Sequence, residues 1–383
     1  MIPQHAKHPF RGHQACCAVS TSSDEPKSLI EIPVERVSGW HAGAIHFTSL
    51  ADCSLIIPTY RRPVEVAQLV RHLLGCERET PGRVPAEVII VDGSPETETE
   101  EAILALTIER APFTLKYLRS RPGLTRQRNV GIEASSREFV FFLDDDTLPT
   151  PEYFSVVRRV FLDDAAKAIG AVGACVMNEW DQSLTWRWRI RLALGIVPRI
   201  EPMKYSHCGT SNPRTLLKPF TGIREVDLLS GCAFSFRREV FNCERFSNFF
   251  EGYSQGEDME MSLRVGTRWK LVCAGDAKVV HFEATAARPP SFAKGHMEVR
   301  NRVLIWCRYS STQATVVDKL RLLADFSFLV LLDLGQFILR PWKPGSLLHC
   351  AGVLWALIEC VLRPPYFDER AHTVLYRIDC QPR

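Results

Sequence analysis

The stretch Phe141-Phe142-Leu143-Asp144-Asp145-Asp146-Thr147 decides how this chain folds. The run Glu138 to Leu143 is apolar, aromatic and β-branched, the pattern of a central strand buried on both faces. Three carboxylates come next without a break. Like charges at the end of a buried strand are unfavourable unless something neutralises them. A divalent cation answers that need, because hard oxygen ligands suit Mg2+ or Mn2+, and those ions commonly bridge a protein carboxylate to substrate phosphates. A solvated capping turn is the plainer alternative. The buried strand weighs against it, since ligand sites in open α/β sheets lie outside the carboxyl ends of the strands.

Outward from that stretch, strand and helix patterns alternate. Cys53 to Ile57 is β-rich and ends at Pro58-Thr59-Tyr60-Arg61-Arg62. Pro63 to Gly75 has apolar residues at helical spacing, with Pro at the first turn and Gly at the expected end. Ala86 to Val91 is a strand closed by Asp92-Gly93-Ser94-Pro95. A polar-faced helix is expected over Glu96 to Arg110, a strand over Leu115 to Leu118, and helices over Leu124 to Ala134 and Pro151 to Leu162. This alternation predicts an α/β fold, a mostly parallel sheet covered by helices on both faces. Asp92, the segment Pro58 to Arg62 and the acidic triplet should then gather at one edge of the sheet.

Beyond Leu162 the texture changes. Strand-like runs cover Ile169 to Met177 and Val226 to Phe236, the latter broken by Ser230-Gly231. Between them, Asn178 to Thr221 is aromatic and basic without a clear period, which suggests a long functional loop. A short helix is expected from Arg237, another over Glu257 to Gly266, and strands over Trp269 to Ala274 and Ala277 to Phe282. Phe292 to Tyr309 reads as a basic amphipathic helix. Leu320 to Leu339 and Leu347 to Leu362 are strongly apolar and are separated by Arg340-Pro341-Trp342-Lys343-Pro344-Gly345. Asp325, Asp333, His349 and Glu359 mark them with charge. A spanning helix needs about 20 apolar residues with few charges, so a hairpin lying on or dipping into a membrane fits better, with Arg340, Trp342 and Lys343 as interface anchors. Two buried core helices are the alternative.

The chain has 383 residues, 46% hydrophobic and 24% charged, enough for one large or two ordinary domains. A net charge of +3 gives no bulk argument for nucleic acid as a partner. The 13 cysteines are odd in number and contain no Cys-x-x-Cys pair, against a disulfide framework or a zinc module and for a reducing compartment. Met1 to Val19 lacks an apolar core and does not read as a signal peptide. Residues 1–30 are expected to be a disordered tail, residues 31–285 the α/β domain, and residues 290–383 a C-terminal helical region that associates with a membrane.

Further residues carry chemistry. Gly256-Glu257-Asp258 opens a helix, where capping alone would account for acids. The aromatic, glycine-rich loop before it gives Asp258 a second reading, as general base towards a hydroxyl. His281 ends a strand and is a plausible additional ligand for Mn2+. Arg126 and Arg128, after Gly123-Leu124-Thr125, suit an anionic ligand, although a solvated helix face explains them equally.

Taken in order, Ser54 to Arg62, Val88 to Ser94, Gly123 to Gly131, Phe142 to Thr147 and Gly256 to Asp258 make the chain resemble glycosyltransferase family 2, over roughly residues 52 to 285. Each motif is weak alone, and the ordered set is specific. The resemblance implies the GT-A fold, an inverting reaction, a nucleotide-sugar donor and a divalent cation. It implies that Pro58, Thr59, Tyr60 and Arg62 line the nucleoside pocket, that Asp92 holds the base, and that Arg126 or Arg128 lies near the nucleotide. By the same likeness Asp146 ligates the metal, with His281 at a further ligand position, and Asp144 or Asp145 contacts nucleotide or sugar. Asp258 matches the catalytic base, with Glu257, Ser230 and Gly231 on the acceptor side. Asp145 keeps a supporting role and is expected to tolerate substitution best.

The Gln-x-x-Arg-Trp motif of processive members is absent, and Arg300-Asn301-Arg302 stands instead, which argues for single-sugar transfer. A glycan or lipid-linked acceptor at the cytoplasmic face of a membrane is the expectation from the apolar tail. A dehalogenase-type phosphatase would want its hydroxyl one place later than Thr147. A nucleotidyltransferase would want glycines where Pro58 to Arg62 has none. An inactive sugar-binding protein would not need Asp144, Asp146 and Asp258 together.

Overall fold

Odd and even residues of the central strands part into two cores, as side chains on a strand must. Phe139, Phe141 and Leu143 join Leu55, Ile57, Val88 and Ile90 on one face, while Val140 and Phe142 join Ile56, Ile89 and Val91 on the other. The computed structural model describes residues 29–32, 50–106, 113–180, 182–250, 252–284, 286 and 288–363. The expected disordered tail, apart from its last two residues, lies outside them.

The elements run β1 Leu29–Ile32, β2 Cys53–Thr59, α1 Pro63–Glu79, β3 Glu87–Asp92, α2 Glu98–Leu104, β4 Thr114–Arg119, α3 Leu124–Ala134 and β5 Phe139–Leu143. They continue with β6 Thr147–Pro149, α4 Tyr153–Asp163, β7 Ile169–Val176, α5 Trp186–Ala193, β8 Ile223–Val226, β9 Ala233–Arg237, α6 Glu257–Val265 and β10 Lys270–His281. Three helices close the described chain: α7 Ser291–Tyr309, α8 Val316–Leu339 and α9 Gly345–Leu362. The sheet order is β1-β4-β3-β2-β5-β9-β7-β10-β6, with β8 on β10. Strands β4, β3, β2 and β5 are mutually parallel, β7 and β10 are parallel, and β9 runs antiparallel between β5 and β7. Helices α1 and α4 cover one face through Leu69, Leu73, Phe154 and Phe161, and α3 and α6 cover the other through Ile132 and Met261. The α/β fold, mostly parallel and clad on both faces, is as expected.

Several local expectations change. Helix α1 runs through Gly75, whose surroundings are open, and ends at Glu79. The buried Glu77 carboxylate accepts N–H bonds from Gly82, Arg83 and Val84, which fixes the turn beyond. The expected pair of strands over 269–282 is one strand, β10, with a register shift between Cys273 and Lys278. The helix expected from Arg237 is only a 3-10 turn, Arg238–Asn242. Ser230-Gly231 lies in the turn before β9 and not within a strand. Among the described residues nine cysteines are free thiols and Cys243 is disulfide-bonded.

The C-terminal helices pack face to face with little room. A Cβ on Gly295 of α7 would lie 2.2 Å from the His349 carbonyl, and one on Gly352 of α9 would lie 2.1 Å from that of Phe292. Helix α8 opens with a capping box between Thr315 and Asp318. Both α8 and α9 are long and apolar enough to cross a membrane. The acids of α8 face inward: Asp325 is 2% exposed and Asp333 6%. Leu323, Leu331, Ile338, Leu354, Trp355 and Val361 face outward and are exposed.

Candidate active site

The parallel strands β2, β3 and β5 end side by side, and the segments leaving their carboxyl ends form the site. After β5, Asp144 is half-buried and Asp145 and Asp146 are buried. The arginines nearby are the first neutralising charges. Arg62 Nη1 donates to Asp145 at 2.9 Å and approaches Asp146 at 3.4 Å, while Arg128 Nη2 donates to Asp144 at 3.2 Å. Thr59, the last residue of β2, donates its hydroxyl to Asp145 at 2.7 Å. Burial pushes the Asp145 carboxyl up to about 7, against the pull of Arg62 and Thr59. Thr59 and Arg62 thus occupy one Asp145 oxygen each. Arg61, between Tyr60 and Arg62, has φ +54°, a left-handed conformation unusual for a side chain of this size. Its N–H is held by Ser94 Oγ at 2.7 Å.

Helix α3 holds the strand ends together. Gly131 lets it approach β2, since a Cβ there would lie 2.3 Å from Ile56 Cγ2. Gln127 donates to the carbonyls of Thr59 at 2.6 Å and Val91 at 2.8 Å. Arg128, 1% exposed, donates to Glu257 at 2.8 Å and to the Gly231 carbonyl at 3.0 Å, with its guanidinium against the rings of Phe234 and Phe246. It thus joins the end of β5 to the start of α6. Arg126, half-buried, lies beside Gly123 at the start of the helix.

Asp144, Asp146 and His281 offer three ligand atoms within 4.8 Å of one another. His281, at the end of β10, places Nε2 3.2 Å from Asp146 Oδ1, yet that oxygen is buried and has no hydrogen-bond partner. Asp146 Oδ2 accepts the Ala284 N–H at 2.8 Å, which aims the other oxygen at the imidazole. Burial acts against the Asp146 carboxylate, but His281, Ala284 and Arg62 hold it below the usual range. Burial also opposes a charged imidazole, and Asp146 with Asp144 still holds the His281 pKa above its ordinary value. An orphaned carboxylate oxygen facing an imidazole nitrogen fits a divalent cation that accepts mixed oxygen and nitrogen ligands.

Asp92, fully buried at the end of β3, accepts from Ser94 at 2.5 Å and from the Tyr117 hydroxyl at 2.5 Å. Pro58 is buried within β2, and Tyr60 is half-buried under the Arg61 guanidinium. Across the site, Asp258 accepts the Gly231 N–H at 3.0 Å on Oδ2 and its neighbour's, Met259, at 2.8 Å on Oδ1. Glu257 turns inward to Arg128, and burial together with Asp258 pushes its carboxyl up. Asp258 and Ser230 face a cavity of about 220 Å3 that Asn212, Arg214, Leu229 and Met259 also line. Arg214 is held by Glu179, at 3.0 Å from Nε. Sequence reasoning missed Gln127, Asn212 and Arg214. Only the position of the last two, in the unpatterned segment Asn178 to Thr221, pointed to them.

These features place a carboxylate-rich site at the carboxyl edge of an α/β sheet, and comparison with known proteins narrows its reading. A family model described as Glycosyl transferase family 2 matches residues 54–244, from β2 to just beyond β9. Over that stretch, just under half of the chain, it is similar to the family 2 glycosyltransferases. Asp258 and His281 lie beyond the matched stretch. An uncharacterized glycosyltransferase from Haemophilus influenzae is 32% identical over 107 residues, 28% of this chain. The chain spans about a third of that relative, 33% of its length. Among solved structures, a mannosyltransferase from Pyrobaculum calidifontis in complex with GDP-Man and Mn2+ superposes with a TM-score of 0.50 at 14% identity, over 81% of this chain and 88% of that one. At that identity the likeness is one of fold.

Proposed function

We propose that this protein is an inverting, non-processive glycosyltransferase that moves a single hexosyl or deoxyhexosyl unit from a nucleotide-sugar donor to a hydroxyl of a glycan or lipid-linked acceptor. The observation that carries the reading is three carboxylates and an imidazole in one site: Asp144, Asp146 and His281 within 4.8 Å of one another, and Asp258 beside a cavity of about 220 Å3. Asp144, Asp146 and His281 would hold a divalent cation, Mn2+ or Mg2+. When bound it offsets charge developing on the leaving nucleoside diphosphate. The Pyrobaculum protein's complex with GDP-Man and Mn2+ is consistent with a donor and cation of that kind.

The chain's own residues do the rest. Pro58, Thr59, Tyr60, Arg62 and Asp92 form the strand-end wall for the nucleoside, and Arg62 adds positive charge beside the phosphates. Two backbone N–H groups fix the Asp258 carboxylate at the N-terminus of α6. It takes the proton of the acceptor hydroxyl as that oxygen attacks the anomeric carbon. The new C–O bond forms on the face opposite the breaking bond to phosphate, and the diphosphate leaves with the electron pair. One displacement inverts the carbon. Membrane contact through α8 and α9 at the cytoplasmic face would bring the site to a lipid-linked acceptor.

With Mn2+ and a panel of nucleotide sugars, the purified protein should release nucleoside diphosphate. Asp258→Asn should lower kcat by about 10²–10⁴ while donor binding, read by thermal shift, stays near wild type. Transfer by Asp258→Asn at the wild-type rate would remove the base assignment.

A further inference from the structure

A second cavity, of about 690 Å3, lies away from the carboxylates, between α5, α7, α8 and α9. Its floor is a set of closed ion pairs. Asp325 accepts from Arg191 at 2.5 Å and Arg302 at 2.7 Å. His349 meets Asp333 at 2.6 Å through Nδ1 and Glu298 at 3.4 Å through Nε2. Every acid lining the cavity is thereby engaged. Two lining cations close no ion pair among the described residues and are exposed: Arg187, whose guanidinium lies over the Trp186 ring, and Lys294, whose charge reaches Glu298 without bonding it. Arg191 Nε, in the wall, is buried and has no acceptor. The unsatisfied capacity of the cavity is for an anion.

The remaining wall is apolar. Phe328, Leu329 and Leu332 of α8 line the cavity, and Leu331 and Leu334 of the same helix are exposed outside it. Helix α8 thus offers apolar side chains to a hydrocarbon chain both in the wall and on the exposed surface. We propose that this cavity binds the phosphate headgroup of a membrane lipid, with Arg187, Lys294 and Arg191 Nε on the phosphate and the chain along α8. The inference rests on the reading of α8 and α9 as membrane-facing. It adds a lipid site separate from the donor and acceptor pockets, one that would hold the enzyme in a fixed orientation on an anionic membrane.

The full chain in neutral detergent is titrated calorimetrically with dihexanoyl phosphatidic acid, dihexanoyl phosphatidylcholine and inorganic phosphate. Phosphatidic acid should bind saturably, one per chain, and far more tightly than either of the others. The double variant Arg187→Gln, Lys294→Gln should weaken it on the order of thirtyfold, about fivefold for each cation near an anionic headgroup. Arg159→Gln with Lys167→Gln, exposed positions outside the cavity lining, should leave it unchanged. Equal binding of phosphate alone, or wild-type affinity in the Arg187, Lys294 variant, would overturn the proposal. Flotation with phosphatidylcholine vesicles, with and without phosphatidic acid, separates the two readings. A chain that floats with both but gives a silent titration keeps its membrane-facing hairpin and loses the lipid site, whereas a chain that floats with neither loses both.

Discussion

Asp145 accepts from Thr59 and Arg62 at once, and those two bonds tie the end of β2 to the end of β5. Its replacement by alanine would leave a buried hydroxyl and a guanidinium short of an acceptor, at about 1–3 kcal/mol. Denaturant titration of Asp145→Ala should show that loss even without donor. The sequence presented three equivalent carboxylates, and the expectation that the middle one is the most dispensable rested on motif spacing. Which oxygens are already taken depends on Thr59 and Arg62, more than eighty residues earlier, and no local pattern reports that. Asp146 and His281 were legible because strand ends converge in an α/β sheet. Gln127 was not, since its role is to bond carbonyls that only the folded sheet brings together. Gly231 is a related case. A Cβ there would sit 3.1 Å from Arg128 Nη2 and 3.2 Å from Asp258 Cβ. Gly231→Ala should therefore lower kcat with little change in donor affinity, as steady-state kinetics with the donor held saturating and then varied would reveal.

At the scale of elements, the first half of the domain follows its periodicities closely, because each strand is buried on both faces and each helix on one. Departures cluster where tertiary contacts override local signals: α1 passes Gly75, and β10 stays continuous where the sequence shows a break. Helices α7 and α9 meet backbone to backbone at Gly295 and Gly352, where neither carbonyl can yield to admit a methyl. Gly352→Ala should loosen α9 and expose the buried Cys350 thiol to alkylation, with overpacking of about 1–3 kcal/mol. His349 of α9, set between Asp333 of α8 and Glu298 of α7, carries a pH signature. Asp333 and Glu298 raise the His349 pKa from 6.5 to about 9 against partial burial. A raised folded pKa contributes stability that is complete below about 6.5 and is lost as pH rises through about 9. The melting temperature of the wild type should exceed that of His349→Gln at pH 6 and approach it above pH 9.5.

On the scale of the whole molecule, the inward acids of α8 explain why the sequence looked ambiguous. Asp325 and Asp333 interrupt the apolar run in one dimension, but in the folded chain they point at Arg191, Arg302 and His349 and leave the outer face largely hydrocarbon. Leu331→Asp with Ile338→Asp changes only exposed positions, so the fold should persist while flotation with vesicles is abolished. Unchanged flotation would place the membrane contact elsewhere.

The reversed strand β9 has one more consequence. The excursion between β7 and β9 leaves the sheet at the edge where β5 ends and returns there, with Asp144 N–H bonded to the Cys232 carbonyl at 3.1 Å. Both ends of that excursion are pinned, and β8 within it returns to the sheet on β10. On the proposed reading, the directions for holding a donor are written before Thr147, apart from His281, and most of those for choosing an acceptor after Val176, as separable clauses of one sentence. Grafting residues 178–221 from another such enzyme would rewrite the second clause and leave the first legible.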